Sequence, residues 1–234
     1  MSVRAWFVMP AAGASRRMGG PFPKQYLTLA GRTVIEHALR PLLASPRIAG
    51  GVVALSGDDP HWPGLPAELR ARVRTTIGGA ERCHSVLNGL HALAGVAAPS
   101  DWVLVHDAAR PCLDPADLDR LLDACADDAV GGLLAVPLAD TLKRADDDGR
   151  AIATIPREGL WRALTPQMFR FALLHRALSM ALAAGEQPTD EAAAIEHLGL
   201  APRLVAGSPA NLKITHPGDL PVAAAVLIQE GLAQ

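Results

Sequence analysis

A loop suited to binding phosphate lies near the start of the chain. Residues 11–26 read AAGASRRMGGPFPKQY, and residues 3–9 form a short apolar run that predicts a preceding strand. Small side chains let a ligand approach the backbone N–H groups, and successive N–H groups in such a turn form an anion-binding concavity. Arg17 and Lys24 add the positive charge that a polyphosphate requires. A solvated basic turn is the alternative, but it requires small residues, two cations and a strand to coincide by chance.

The position of the lysine matches neither of the two common phosphate-binding loops. A P-loop has a glycine, four residues and then Gly-Lys-Ser/Thr, and a dinucleotide-binding loop has Gly-x-Gly-x-x-Gly. Here the lysine follows well after the small residues, in Pro23-Lys24-Gln25. The combination of a small-residue loop, Arg-Met and Pro-Lys resembles the nucleotidyltransferase signature. Within that superfamily it is similar to cytidylyltransferases that act on sugar-alcohol phosphates.

Two further polar segments follow predicted strands. One reads Gly-Gly-Ala-Glu-Arg over residues 78–82, with Ser85 one turn into the next predicted helix, whose N-terminus favours negative charge. The other comprises Asp107 and Arg110, directly after the apolar residues 102–106. Ligands of an open α/β sheet bind beyond the carboxyl ends of its strands. We therefore expect these two segments and the first loop to face one crevice.

Asp107 is the candidate metal ligand. A carboxylate at the end of a buried strand is either a helix N-cap or a metal ligand, and both interpretations apply here. Mg²⁺ binds through one or two carboxylates plus substrate phosphates, so Mg²⁺ or another divalent cation is the cofactor we predict. His106, the preceding residue, is predicted to point to the opposite face of the strand and to pack there.

Alternating strands and helices predict an α/β fold. The pattern indicates one domain over residues 1–234, with a mostly parallel sheet and helices on both faces. Thr33 and Glu36 form a predicted capping box for the first helix, which Pro41 should kink or end early. The other predicted strands are residues 51–56, 72–77, 102–106 and 132–136, and the other predicted helices are residues 81–94 and 114–126.

The alternation breaks in the second half of the chain. Residues 141–156 alternate loosely around an Asp-rich turn, which predicts a two-stranded excursion, a β-arm at about residues 139–157. The remaining predicted elements are helices at residues 169–184, 189–198 and 217–231 and short strands at residues 203–205 and 212–215.

Bulk composition excludes several classes of protein. A formal net charge of −2 argues against a nucleic-acid-binding protein, which would carry a strongly basic domain. No apolar run reaches the roughly 18 residues that a membrane span needs. The three cysteines, Cys83, Cys112 and Cys125, lack metal-type spacing and suit a reduced cytoplasm.

Lysine is rare beside arginine, so Lys24, Lys143 and Lys213 are expected where a compact ammonium is required.

Eight motifs together resemble one family over nearly the whole chain. They occur in the order seen in 2-C-methyl-D-erythritol 4-phosphate cytidylyltransferases, from residue 8 to about residue 220. The motifs are PAAGASRRM, PKQYL, GGAERCHSV, VHDAARP, DTLKR, GLWRALTPQ, TDEAAA and NLKIT. The resemblance implies a Rossmann-like mixed sheet of about seven strands and a homodimer joined through the β-arm. It also implies transfer of CMP from CTP to 2-C-methyl-D-erythritol 4-phosphate, with release of pyrophosphate, in non-mevalonate isoprenoid precursor synthesis.

The resemblance also implies roles for individual residues. Arg17, Lys24 and Lys213 would be catalytic, the first two on the triphosphate and Lys213 on the α-phosphate. The nucleotide would be held by Ala11, Ala12, Gly13, Ser15, Gly79, Ala80, Arg82, Ser85 and Asp107. The methylerythritol phosphate would be held by Arg110, Thr141, Arg157, Thr165 and Thr189, some of them from the partner subunit.

Two alternative functions stay open at the level of sequence. One is a cytidylyltransferase for a pentitol phosphate such as ribitol 5-phosphate, although Ala108-Ala109 before Arg110 favours methylerythritol. The other is a nucleotide-binding regulator without turnover, which loss of the cations or of Asp107 would favour. Both the cations and Asp107 are present. A phosphate monoester is itself an anionic nucleophile, so the expected mechanism needs positioning and charge stabilisation rather than a general base.

Overall fold

A computed structural model describes residues 4–13 and 22–231 of the chain. The strands are β1 (Ala5–Pro10), β2 (Thr28–Leu29), β3 (Arg32–Thr33), β4 (Ile48–Leu55), β5 (Arg74–Ile77), β6 (Trp102–Val105), β7 (Gly131–Pro137), β8 (Leu142–Ala145), β9 (Ala151–Ile155), β10 (Trp161–Arg170) and β11 (Arg203–Ala206). The helices are α1 (Val34–Ala44), α2 (Ala67–Arg70), α3 (Arg82–Leu93), α4 (Pro115–Cys125), α5 (Phe171–Ala183), α6 (Glu191–Glu196) and α7 (Asp219–Gln229), with 3₁₀ turns at Lys24–Tyr26 and Trp62–Gly64.

Seven strands form one mixed sheet in the order β11-β7-β10-β6-β1-β4-β5. Six of them run in the same direction, and β10 alone is antiparallel to its neighbours β6 and β7. The predicted fold class, a mostly parallel mixed sheet of about seven strands, is confirmed. The parallel strands place their carboxyl ends, and the loops that follow them, at one edge of the sheet.

Helices cover both faces of this sheet, as predicted. Side chains alternate along β1: Phe7 and Met9 pack with α1 and α4, whereas Trp6 and Val8 pack with α3, α5 and α6. This alternation follows from the two-residue period of a strand. A third cluster joins α7 to the β2–β3 hairpin through Leu29. No helix in the described ranges combines the length and apolar character that crossing a bilayer requires.

Strand β10 is the main element that the sequence analysis missed. Its sequence, WRALTPQMFR, contains Pro166, and a proline argues against a central strand because it cannot donate to the ladder. The structure accommodates Pro166 at an interruption: pairing with β7 stops at Ala163 and resumes at Gln167. Because the strand extends to Arg170, the helix predicted from residue 169 begins instead at Phe171.

Two other predictions about local structure need correction. Pro41 does not end α1, which continues for three residues beyond it with Leu42 wholly buried in the core. Residues 212–215 do not form a strand. Their backbone donors are satisfied elsewhere, Ile214 N–H by the Ala109 carbonyl at 2.8 Å and Thr215 N–H by Asp219 Oδ2 at 2.7 Å. The capping box of Thr33 and Glu36 is present as predicted.

The predicted arm is a separate two-stranded sheet. Strands β8 and β9 pair antiparallel with each other and with no strand of the main sheet, and most of their side chains are exposed. Isolated two-stranded sheets are marginally stable in water. The arm therefore needs a surface to pack against.

Gly89, in the middle of α3, allows this helix to lie close to β1. A Cβ atom at position 89 would lie 2.4 Å from Val8 Cγ1. Val8 is wholly buried and β-branched, so its side chain has little freedom to move away. The glycine thus determines how closely the start of α3 approaches the carboxyl edge of the sheet.

We expect Gly89→Ala to destabilise the protein by about 1–3 kcal/mol, because an extra methyl group in a packed core costs about that much. Helix propensity alone predicts the opposite sign, since alanine is favoured over glycine by about 1 kcal/mol inside a helix. Urea unfolding measures the difference. Gly57→Ala is the control, because a Cβ atom there meets nothing within 4 Å. Equal stability of Gly89→Ala and wild type would contradict close packing at this position.

Candidate active site

The three predicted strand-end segments meet at one cavity of about 550 Å³. They are joined there by the 3₁₀ turn that carries Lys24 and by the segment before α7 that carries Lys213. The lining residues are Pro10, Ala11, Ala12, Gly13, Lys24, Gln25, Gly79, Ala80, Glu81, Arg82, Ser85, Asp107, Ala108, Ala109, Lys213 and Thr215. The prediction that the loops after β1, β5 and β6 face one crevice is confirmed.

The structure brings together most, but not all, of the predicted site residues. Ten of them line the cavity, and those ten are Ala11, Ala12, Gly13, Lys24, Gly79, Ala80, Arg82, Ser85, Asp107 and Lys213. Ser15 and Arg17 lie outside the described residues. The five residues predicted for the second substrate do not line it: Arg110 and Thr165 are buried, and Thr141, Arg157 and Thr189 are exposed.

The first loop is held by a residue that the sequence analysis did not select. Gln25 is buried, and its Nε2 donates to the Ala11 carbonyl at 2.7 Å. Small side chains are needed here for packing as well as for ligand approach, since a Cβ atom on Gly78 would lie 2.5 Å from the Cβ of Ala12. The signal for Gln25 was its place beside Lys24 in the PKQYL motif.

The second loop is shaped by Ser85 of α3. The Ser85 hydroxyl oxygen accepts the Gly79 N–H at 3.0 Å and donates to the Glu81 carbonyl at 3.2 Å. Gly79 also requires the absence of a side chain, because a Cβ atom there would lie 2.3 Å from His84 Cβ. The loop therefore keeps a fixed shape at the N-terminus of α3, where backbone N–H groups favour an anion.

Asp107, at the end of β6, lies near three cations of the described part of the chain. Its carboxylate is 2.9 Å from Arg82 Nε, 2.8 Å from Lys213 Nζ and 3.8 Å from Arg110 Nε. Burial alone would raise the pKa of the Asp107 carboxyl, but the charges of Arg82, Lys213 and Arg110 lower it far below its usual range. A turn rather than a helix follows Asp107, so the N-cap interpretation is wrong.

Arg82 has a second partner, Glu191 of α6, which was not predicted as a site residue. The guanidinium binds the Glu191 carboxylate through both Nη atoms, at 2.6 and 3.0 Å. Burial would lower the pKa of Arg82, but the charges of Glu191 and Asp107 raise it above its usual range. Arg82 is therefore charged whenever the protein is folded. The TDEAAA motif contained Glu191, but nothing in its local sequence indicated a partner 109 positions away.

The two lysines of the cavity belong to segments that contact each other. Lys24 Nζ donates to the carbonyl of Ile214 at 2.6 Å, next to Lys213 in sequence. The third lysine, Lys143, lies on the arm and donates to Thr154 Oγ1 at 2.6 Å. Two of the three lysines thus face the cavity, as the rarity of lysine in this chain suggested.

Thr165 of β10 connects the buried His106 to the backbone of Asp107 by hydrogen bonds. His106 is wholly buried, and burial lowers its pKa to about 4, so the ring is uncharged at neutral pH. Its Nε2 lies 3.1 Å from the Arg110 carbonyl, which can only accept, so Nε2 carries the proton. Nδ1 then accepts from the Thr165 hydroxyl at 3.0 Å, and Thr165 Oγ1 accepts the Asp107 N–H at 3.1 Å. His106 packs away from the cavity, as predicted.

The fold and the cavity together define a class of protein. Among the residues that the structure describes, the carboxyl edge of the mostly parallel sheet brings two lysines, one arginine and loop backbone around an open cavity. Among the described lining residues there is no pairing of a Ser or Cys nucleophile with a histidine base. This is the kind of site in which an α/β protein binds a phosphorylated ligand beyond its strand ends and acts on it by position and charge.

Comparison with known proteins identifies the family. A sequence model of the 2-C-methyl-D-erythritol 4-phosphate cytidylyltransferase family matches residues 5–229, and the chain belongs to this family. Curated proteins of that name from Pseudomonas aeruginosa and Pseudomonas putida are 58% and 56% identical over 216 residues, 92% of each sequence.

Solved structures agree with this assignment. One described as 4-diphosphocytidyl-2C-methyl-D-erythritol synthase matches with a TM-score of 0.84 at 40% identity, over 97% of this chain and 99% of the other. The 2-C-methyl-D-erythritol 4-phosphate cytidylyltransferase of Thermus thermophilus matches with a TM-score of 0.78 at 33% identity, over 97% and 98% of the two chains.

Proposed function

We propose that the protein transfers the cytidylyl group of CTP to 2-C-methyl-D-erythritol 4-phosphate. The products are 4-diphosphocytidyl-2-C-methyl-D-erythritol and pyrophosphate, in the non-mevalonate synthesis of isoprenoid precursors, and the reaction belongs in the cytoplasm. One observation carries the proposal: in a chain of this family, Lys24, Arg82 and Lys213 surround a cavity at the carboxyl edge of the sheet.

The mechanism follows from charge and position. A phosphate monoester has a second pKa of about 6, so at neutral pH it is largely a dianion and needs no general base to attack the α-phosphorus. The difficulty is to bring this anion to a triphosphate and to stabilise the negative charge that develops during an in-line displacement. Lys213 would contact the α-phosphate, and Lys24, with Arg17 from outside the described residues, would hold the triphosphate as pyrophosphate leaves.

The remaining lining residues suit the nucleoside. The backbone of residues 11–13, Gly79 and Ala80 leaves space for a flat base and a ribose, and Ser85 and Gln25 fix the two loops that frame this space. Bulky substitutions in either loop would meet neighbouring atoms, as the close approach at Gly78 illustrates.

Asp107 would hold Mg²⁺ once Lys213, which contacts its Oδ2 at 2.8 Å, moves to the α-phosphate. No group of three or more His, Cys, Asp or Glu side chains in the described ranges could hold a metal by itself. Mg²⁺ does not need one, since it binds through one or two carboxylates together with substrate phosphates and water. Asp107, anionic at all ordinary pH values, would hold the ion at the cavity wall. When bound, Mg²⁺ would neutralise part of the triphosphate charge.

We further propose a homodimer in which the arm contributes to the partner's site. Thr141 and Arg157 lie on the arm, just outside its two strands, yet neither lines the cavity of its own chain. The arm and the residues just after it expose three large apolar side chains, those of Ile152, Leu160 and Trp161. A surface that covers them would stabilise the arm and would bring Arg157 to the second substrate.

A substrate panel tests the proposed reaction. Pyrophosphate release should require both CTP and methylerythritol phosphate, and kcat/KM should be at least about 100-fold lower with ribitol 5-phosphate, because a site built for one polyol leaves polar groups unpaired with another. Lys24→Ala should lower kcat by about 10²–10³-fold, which excludes a contaminating enzyme. Arg176→Ala, an exposed cation on α5, is the matched control. Faster turnover of ribitol 5-phosphate, or CTP binding without turnover, would overturn the proposal.

The Mg²⁺ proposal predicts that Asp107→Asn weakens metal binding. An amide oxygen lacks the charge of a carboxylate, so the Mg²⁺ concentration for half-maximal activity should rise by at least about 10-fold. Mn²⁺ binding in the presence of CTP, followed by water-proton relaxation, gives a readout independent of turnover. Asp114→Asn is the control, because Asp114 caps α4 and asparagine caps as well as aspartate. An unchanged metal titration would leave Asp107 as an ion-pair partner only.

Complementation tests the shared site. Lys24→Ala and Arg157→Ala homodimers should each be nearly inactive. A mixed dimer would carry both lesions in one site and none in the other, so refolding equal amounts together should restore roughly a quarter of wild-type activity by this symmetry. Lys24→Ala mixed with Lys213→Ala is the control, because both residues line one chain's cavity and no site would be intact. Equal recovery in both mixtures, or none in either despite proven mixed dimers, would refute sharing.

A further inference from the structure

Arg82 occupies an electrostatically unfavourable position that its partners compensate. It is the first residue of α3, where the helix dipole disfavours a cation. Its guanidinium is nevertheless fixed by three hydrogen bonds, one from Nε to Asp107 and two from the Nη atoms to Glu191. Arg82 therefore bridges two carboxylates from different elements.

Glu191 is itself held rigidly. It is the first residue of α6, and its side chain is only 1% exposed. Gln167 of β10 fixes this end of the helix: its Nε2 donates to Asp190 Oδ2 at 2.9 Å, and its Oε1 accepts the Ala192 N–H at 2.8 Å. The first turn of α6, which carries Glu191, is thus anchored to a central strand of the sheet.

The two strong partners of Asp107 differ in how firmly they are held. Arg82 binds Asp107 Oδ1, and its planar guanidinium is locked by Glu191 at the same time. Lys213 binds Oδ2 at 2.8 Å through a flexible side chain that is 36% exposed, against 24% for Arg82. Of the two, Lys213 is the partner that can leave without breaking any other ion pair in the described residues.

We propose that Glu191 is a positioning residue for cytidylyl transfer. By fixing Arg82, it gives Asp107 a permanent cationic partner, so that Lys213 can move from Asp107 to the α-phosphate of CTP. The carboxylate of Asp107 then remains paired during the exchange, and no buried charge is left alone. The inference rests on the proposed role of Lys213 at the α-phosphate.

Removal of the Glu191 charge should keep Lys213 on Asp107 and away from the α-phosphate. Arg82 would lose its anchor and could turn toward the phosphates, while Asp107 would retain Lys213 as its remaining close partner. CTP would still bind, because the number of cations is unchanged. The α-phosphate, however, would lack its lysine during transfer.

Kinetics of Glu191→Gln give the first test. The amide is isosteric but uncharged, so kcat should fall by about 10- to 100-fold, the usual effect of removing a group that orients another. KM for CTP should stay within about 3-fold. Glu196→Gln, an exposed residue at the other end of α6, should have wild-type values. If Glu191→Gln lowers only the melting temperature and leaves kcat of the folded protein unchanged, the residue is structural and the inference is wrong.

The scarcity of lysine allows a direct readout of Lys213. Protein labelled with ¹³C at lysine Cε should give three NMR signals, from Lys24, Lys143 and Lys213, assigned with single lysine-to-arginine variants. CTP with Mg²⁺ but without the second substrate should shift the Lys213 signal in wild type, and by less than half as much in Glu191→Gln.

The outcomes distinguish failure of the proposed Lys213 contact from failure of the proposed role of Glu191. No Lys213 shift in wild type would remove the proposed contact with the α-phosphate, and the inference with it, while the substrate panel could still succeed. A normal shift and normal kcat in Glu191→Gln would overturn the role of Glu191 alone.

If Glu191→Gln does not fold, Arg82→Lys replaces it: an ammonium cannot bind Glu191 through two nitrogens and Asp107 through a third. Wild-type turnover in Arg82→Lys would overturn the inference equally.

Discussion

The buried carboxylate of Asp107 is the charge around which the site is arranged. Taking an ion out of water costs several kcal/mol, and removing one partner from a buried pair typically costs about 3–5 kcal/mol. The chain meets this requirement with Arg82 from α3, Lys213 from the segment before α7, and Arg110 from the turn after β6. Three distant segments must therefore reach their positions together, and the cavity forms where they meet.

Strand β10 supplies the support behind this arrangement. Thr165 orients Asp107 through its backbone N–H and is itself oriented by His106. The Thr165 carbonyl accepts from Asn211 Nδ2 at 2.7 Å, and the Asn211 carbonyl accepts from Arg110 at 2.7 Å. The one antiparallel strand of the main sheet thus connects the Asp107 turn with the segment that carries Lys213. Gln167, two residues further along the strand, fixes α6 and through it Glu191.

The charges around the cavity alternate in sign. Glu191, Arg82, Asp107 and Lys213 form a chain of carboxylate, guanidinium, carboxylate and ammonium. Such a chain is neutral as a whole, so it can be buried, yet its last member faces the open cavity. A ligand rich in phosphate meets the cationic end of the chain, where an ammonium is compact and mobile. This arrangement suits a reaction limited by positioning and charge, in which proton transfer by the protein has no necessary part.

The sequence by itself determined the features that depend on short stretches of chain. Short apolar runs predicted β1, β4, β6 and β7, and Thr33 with Glu36 predicted the capping box of α1. The small-residue loops and the family motifs located ten of the residues that line the cavity. These signals are local because backbone conformation and strand or helix periodicity depend on neighbours within a few positions.

Tertiary structure alone decided which polar groups pair across the fold. Pro166 concealed a central strand, because only the pairing with β6 and β7 shows that the ladder can be interrupted there. Arg82 and Glu191 are 109 positions apart and occupy the starts of two separate helices, so neither local sequence carries a trace of the other. The pairing of buried charges leaves no periodic pattern in the sequence. It is satisfied only when the sheet has placed the ends of its strands side by side.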